Sequence, residues 1–221
     1  EGLEILAEAD ARGLKHSVVE DKLHLPGMQK LSQLAQDGFF GQIIGFKLDF
    51  GWWIFDGLEC SSQRPSWNYK KEMGGGLVFD MYPHWRYMIE GLMGPIEQVV
   101  TAVSTIQKMR ADEDGVAFGV DVEDNAHTLV RLESGVIGAI HSSWGTRIRR
   151  DDQLTFQIDG TKGSAIAGLR DCWVQSAANT PVIGTFKLGR EECITDIRNF
   201  KNDWEKSSRR RIRGGTDLFY S

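Results

Sequence analysis

Gly74-Gly75-Gly76-Leu77-Val78-Phe79-Asp80-Met81-Tyr82-Pro83-His84 is the stretch from which the rest of the chain is read. Three glycines open an apolar pattern with helical spacing. That pattern sets an acid and a histidine four residues apart, and residues at that spacing share one helix face. A carboxylate beside an imidazole can fix the ring tautomer and raise its basicity, which suits proton transfer near neutral pH. The glycines allow backbone, substrate or cofactor to approach where a Cβ would clash. The same spacing also describes an ordinary surface pair or a capping feature. Pro83 leaves two readings open: a helix kinked by the lost hydrogen bond to the Phe79 carbonyl, or a helix that begins at Pro83.

Working upstream, Leu3, Leu6 and Ala7 follow a helical period that Gly13 can stop, and His16-Ser17-Val18-Val19 reads as a short buried strand. Helix, glycine, strand is one α/β step of a parallel sheet, whose partner strands are expected outside this chain. Pro26 suits the first turn of a second helix, with Met28, Leu31, Leu34 and Ala35 as its apolar stripe and Gly38 as its stop. A strand is expected over 42–50, and 51–73 reads as irregular and aromatic-rich. Downstream, the Asp/His helix ends near Gly91 to Gly94, with Trp85, Met88 and Leu92 facing a sheet. Strands follow at 99–106, 126–132, 136–144, 154–158, 164–167 and 172–175, while 108–121 reads as a charged loop. Glu133-Ser134-Gly135 and Asp159-Gly160 mark turns. The expected fold class is α+β: an open, largely antiparallel sheet with helices on one face.

The chain has 221 residues, 41% hydrophobic and 26% charged, with a formal net charge of −5. This is the balance of a globular protein with no basic field for nucleic acid. No apolar run is long enough to span a membrane. Three widely spaced cysteines, without a CxxC or Cys/His cluster, argue against a zinc site and suit reduced thiols in the cytoplasm. The run Lys206-Ser207-Ser208-Arg209-Arg210-Arg211 reads as a solvated tail.

Five blocks in order resemble the Gfo/Idh/MocA family of NAD(P)-dependent oxidoreductases. Residues 7–19 resemble the last helix and strand of that family's nucleotide-binding domain. Asp37-Gly38-Phe39-Phe40-Gly41-Gln42-Ile43 resembles its entry into the second domain. Gly75-Gly76 through Asp80 and His84 resembles its glycine pair and D-x-x-x-H. Val122-Glu123-Asp124-Asn125-Ala126 with Ser142-Ser143-Trp144 resembles its strand–turn–strand, and Gly160-Thr161-Lys162-Gly163 its G-T-x-G turn.

The resemblance implies hydride transfer between NAD or NADP and a secondary alcohol of a sugar, cyclitol or related polyol. It assigns the proton-accepting role to His84 and an orienting role to Asp80. Lys22, Trp67 and Tyr82 follow as substrate-side candidates, and Gly75 and Gly76 as cofactor-side candidates; no metal is implied. Trp67 is read equally well as filler beneath the irregular loop, and His127 and His141 as ordinary sheet residues. The family pairs copies through its open sheet, so a homo-oligomer is expected, with neither nucleic acid nor membrane as partner. Residues 1–20 are expected to be the remnant of a Rossmann domain, 21–205 the substrate and oligomerisation domain, and 206–221 a basic, disordered tail. The chain contains no GxGxxG, so these residues alone are not expected to bind NAD(P). Two non-catalytic readings stay open: a sugar or nucleotide sensor of the same fold, and a dimerisation module.

Overall fold

The computed structural model describes residues 2–17, 21–148 and 152–180, and the backbone of 205–206. Ten strands and three α-helices are present among them. Helix α1 (Gly2–Ala11) buries none of its residues, and Leu3 is 83% exposed. The strand expected over residues 16–19 does not form at His16 and Ser17, and Val18 and Val19 lie outside the described residues. A 3-10 turn (Asp21–His24) then leads into α2 (Pro26–Gln36). Its Met28, Leu31 and Leu34 are buried, as the stripe requires.

Strand β1 (Ile43–Gly51) occupies the middle of the main sheet. Irregular chain with two 3-10 turns (Ser66–Tyr69 and Lys71–Met73) leads from it to α3 (Leu77–Met93). Strands β2 (Ile96–Ser104), β3 (Met109–Ala111), β4 (Ala117–Gly119), β5 (Asn125–Leu132) and β6 (Ile137–Ser143) follow. The chain continues through β7 (Leu154–Gly160), β8 (Gly163–Ala167), β9 (Cys172–Ser176) and β10 (Glu205–Lys206). The expected loop over 108–121 is in fact a small β3–β4 hairpin separate from the main sheet. The expected turn at Asp159-Gly160 falls two residues later, because β7 runs through Gly160 and the chain reverses at Thr161 and Lys162.

The main sheet has eight strands in the order β10-β9-β8-β7-β1-β6-β5-β2. Only the β1–β6 pair is parallel. Alternation along β5 buries Ala126, Thr128, Val130 and Leu132 beneath the helices and leaves His127, Leu129 and Arg131 on the far face. Helix α2 packs on β8 and β9, and α3 on β5, β6 and β2. Met28, Phe46, Leu48, Trp85, Met88, Ile140 and Phe156 lie in the shared core. The far face is mixed rather than uniformly apolar: Val100, Leu129 and Ile137 are more than half exposed, beside Lys47, Asp49 and Arg131. On that face His127 and His141 stack at 4.5 Å, and His141 Nδ1 lies 2.7 Å from Asp49 Oδ1.

Pro83 lies inside a helix that starts at Leu77, not at Pro83. Asp80 is therefore in the first turn, and the helical face it shares with His84 exists. Phe79 and Pro83 are both on the exposed side, where water can meet the carbonyl that proline leaves without a donor.

Candidate active site

The buried stripe of α3 is Leu77, Met81, Trp85, Met88 and Ile89. Asp80, His84 and Tyr87, at i, i+4 and i+7, follow one shoulder of that stripe. Val78 and Tyr82 lie on the other. Packing of the stripe on the sheet therefore fixes the roll of the helix and the position of both shoulders.

The helix begins where the glycines permit it. A Cβ on Gly75 would stand 2.5 Å from the Asn68 carbonyl oxygen, and one on Gly76 would meet Glu123 Oε1 at 2.8 Å. Gly76 also has φ +118°, outside the range of ordinary side chains. The Gly76 N–H donates to the Asn68 carbonyl (2.8 Å), Leu77 N–H to the Glu123 carbonyl (3.0 Å), and Val78 N–H to Glu123 Oε1 (2.9 Å). The close approach allowed by Gly75 and Gly76 is thus made by the chain's own 3-10 turn and by Glu123. The Gly76, Leu77 and Val78 amides at the start of α3 are engaged within the chain.

His84 is half-buried and faces the 3-10 turn at Asp21–His24. Its Nδ1 lies 2.8 Å from the Tyr87 hydroxyl and 3.8 Å from Asp21 Oδ1. Tyr87 Oη accepts the backbone N–H of Lys22 (3.2 Å), and Lys22 Nζ holds Asp21 Oδ2 at 2.7 Å. Lys22 and His84 are therefore joined through Asp21 and Tyr87. Neither of those two linking residues was a sequence candidate. Tyr87 was within reach of the helical period, three residues beyond His84; Asp21 carried no signal of its own.

Asp80 has a different partner. Arg64 Nη1 lies 2.7 Å from its Oδ2, an ion pair whose N–H is off the axis of a regular hydrogen bond. The Arg64 guanidinium also lies 4.8 Å above the ring of Trp144. Trp144 meets Tyr69 edge-on at 5.8 Å, and Arg110 stacks on Tyr69 at 3.8 Å. Tyr69, Trp144 and Arg110 are essentially inaccessible. Burial pulls the Arg110 pKa below its ordinary value, against the opposing effects of Tyr69, Asp124 and Asp56. Burial likewise raises that of Tyr69, against Arg110 and Arg64.

Trp67 is 47% exposed, so filling beneath the loop falls to Tyr69 and Trp144 instead. It rides on the same 3-10 turn as Asn68, next to Arg64. Tyr82 is set apart from Asp80 and His84. Its hydroxyl is 2.6 Å from Thr128 Oγ1, which in turn lies 2.9 Å from Thr101 Oγ1. Burial raises the Tyr82 pKa, against the hydrogen bond shared with Thr128. A groove of about 720 Å³ on that side of α3 includes Tyr82 and Thr128 in its lining, but neither Asp80 nor His84. Among the described residues no group of three or more His, Cys, Asp or Glu is placed to hold a metal ion, and no helix is long and apolar enough to cross a membrane.

The chain is 43% identical over 185 residues to a D-xylose dehydrogenase of Paenarthrobacter nicotinovorans, covering 82% of this chain and 48% of that protein. It is 25% identical over 169 residues to a levoglucosan dehydrogenase of Pseudarthrobacter phenanthrenivorans, covering 70% of this chain and 42% of that protein. The chain spans about half the length of the curated relatives it matches. Among solved structures, apo levoglucosan dehydrogenase superposes with a TM-score of 0.68 at 23% identity, over 81% of this chain and 49% of that one. An NAD binding oxidoreductase from Klebsiella pneumoniae gives 0.66 at 22% identity, over 79% and 46%. Residues 28–166 match the GFO/IDH/MocA C-terminal domain, and the chain belongs to that family.

Proposed function

We propose that this chain supplies the substrate-binding and acid–base side of an NAD(P)-dependent dehydrogenase acting on a sugar or related polyol. The observation that carries the reading is the shared shoulder of α3. Asp80 and His84 lie along it, each held by a separate partner and neither buried in the sheet. The 43% identical relative is named for D-xylose, which makes that sugar the first substrate to test.

A bound NAD or NADP would supply the hydride acceptor for the substrate carbon. His84 accepts the hydroxyl proton. In the tautomer whose Nδ1–H donates to Tyr87 Oη, the ring presents Nε2 to the substrate. Asp80 accepts a second substrate hydroxyl, Lys22 adds positive charge beside Asp21, and the exposed ring of Trp67 offers an apolar wall to a sugar face. Gly75 and Gly76 serve this site through the loop they shape. Since the Gly76, Leu77 and Val78 amides are already engaged by Asn68 and Glu123, pyrophosphate binding is not assigned to them.

The test is sugar-dependent reduction of NAD or NADP by the full-length protein, followed as absorbance of the reduced nicotinamide. Turnover with D-xylose or a related aldose or anhydrosugar is the expected result. Tight sugar binding with no turnover on either cofactor would point to a sensor of the same fold instead.

A further inference from the structure

The Arg64 guanidinium is held along its edge by Asp80 and Asn68 and on one face by Trp144. Nη1 faces Asp80 Oδ2 at 2.7 Å. With the Asn68 amide turned so that its oxygen meets the guanidinium, Nε and Nη2 each donate to it at 3.0 Å. The flat face of the guanidinium rests over Trp144 at 4.8 Å. Both supports are rigid, since Asn68 is 2% and Trp144 0% exposed. Asn68 is itself fixed by the Gly76 N–H on its carbonyl and by the bare Cα of Gly75 against its backbone.

The consequence falls on Asp80. Its Oδ2 has no accessible surface to speak of, yet the side chain as a whole is 29% exposed. One oxygen is turned inward onto Arg64, and the exposed remainder of the carboxylate faces outward. A carboxylate on a helix shoulder would otherwise exchange rotamers.

We propose that Arg64 is a positioning residue, which locks the inner oxygen of Asp80 and so presents the outer one to the substrate hydroxyl. The proposal rests on the reading of Asp80 as a substrate contact. Lysine cannot replace it, because a point charge on a flexible stem lacks the planar fork that meets Asn68 twice and Asp80 once.

A double-mutant cycle in the full-length enzyme tests this, with kcat and KM measured on a sugar that it turns over. Arg64→Met is expected to lower kcat/KM by about 10- to 100-fold, the worth of a charge-assisted contact. Arg64→Lys is expected to recover little of that loss. The Arg64→Met/Asp80→Asn double variant is expected to be no worse than Asp80→Asn alone, because Arg64 acts through Asp80. A merely structural arginine would lower the thermal midpoint while the two losses multiplied, and that result overturns the proposal. Should Arg64→Met fail to fold, the same cycle run with Arg64→Lys decides between coupling and multiplication. If Asp80→Asn alone leaves kcat/KM unchanged, the reading of the site has failed. If Asp80→Asn is impaired but the losses multiply, only the positioning role has failed.

Discussion

Tyr87 Oη lies 2.8 Å from His84 Nδ1 while accepting the backbone N–H of Lys22. One hydroxyl therefore ties the histidine of α3 to the turn that follows residues 18–20. The ring is oriented by a residue one helical turn along its own helix, and Asp80 has its own partner in Arg64.

If that contact sets the tautomer and angle of His84, Tyr87→Phe lowers kcat by about 3- to 10-fold, the worth of one neutral hydrogen bond. KM for the sugar should change little, since the phenol is assigned to the histidine and not to the substrate. Steady-state kinetics on purified variant enzyme provide the check. An unchanged kcat would remove Tyr87 from the account.

Gly75 gives a stability prediction that does not depend on the chemistry. Gly75→Ala forces a methyl group to within 2.5 Å of Asn68 backbone atoms, which cannot swing aside as a side-chain tip could. A cost of about 1–3 kcal/mol is expected from such overpacking. Denaturant unfolding of the variant measures it, and wild-type stability would show that the turn is looser than described.

Cys172 and Cys60 should differ in thiol chemistry. Cys172 is 3% exposed, and burial pushes its pKa from 9.0 to about 11, with Lys30 opposing. Cys60 is exposed. Alkylation near neutral pH, mapped by peptide mass, should mark Cys60 and spare Cys172 until the chain unfolds. The unfolded thiol loses its proton near pH 9, the folded one only near pH 11. The stabilisation is therefore complete below pH 9 and is lost as pH rises toward 11, by roughly 2–3 kcal/mol in all. Cys172→Ala should flatten the fall in stability over that window. Equal slopes for both proteins would refute the assignment.

The open sheet face tests the expected association. Val100 and Leu129 are cross-strand neighbours, 65% and 60% exposed, and nothing among the described residues covers them. We expect a homodimer in sedimentation, and its dissociation by Leu129→Asp, because a buried unpaired carboxylate is costly. A wild-type monomer at micromolar concentration would reject this surface as an interface.

Periodicity carried most of the fold. The stripes of α2 and α3 were legible because one buried face leaves a repeating trace. The β3–β4 hairpin was not, since three-residue strands with a charged turn between them look like loop. The start of α3 was hidden by Pro83, which the helix carries on its exposed side. The helix face shared by Asp80 and His84 was legible from their spacing, and Lys22 is joined to His84 through Asp21 and Tyr87. Tyr82 lies on the shoulder opposite Asp80, because two residues along a helix turn the side chain by more than half a circle. Arg64 lies on irregular chain and Asn68 on a short 3-10 turn, where sequence distance says little about which side chains meet.

The central claim is that His84 takes the substrate proton. The most direct measurement is turnover of the full-length enzyme with His84→Ala, under saturating cofactor and at fixed pH. A fall in kcat of about two to four orders of magnitude is predicted, with the protein folded and still binding sugar. A kcat within a few-fold of wild type would contradict the account and leave the family membership as a statement about fold alone.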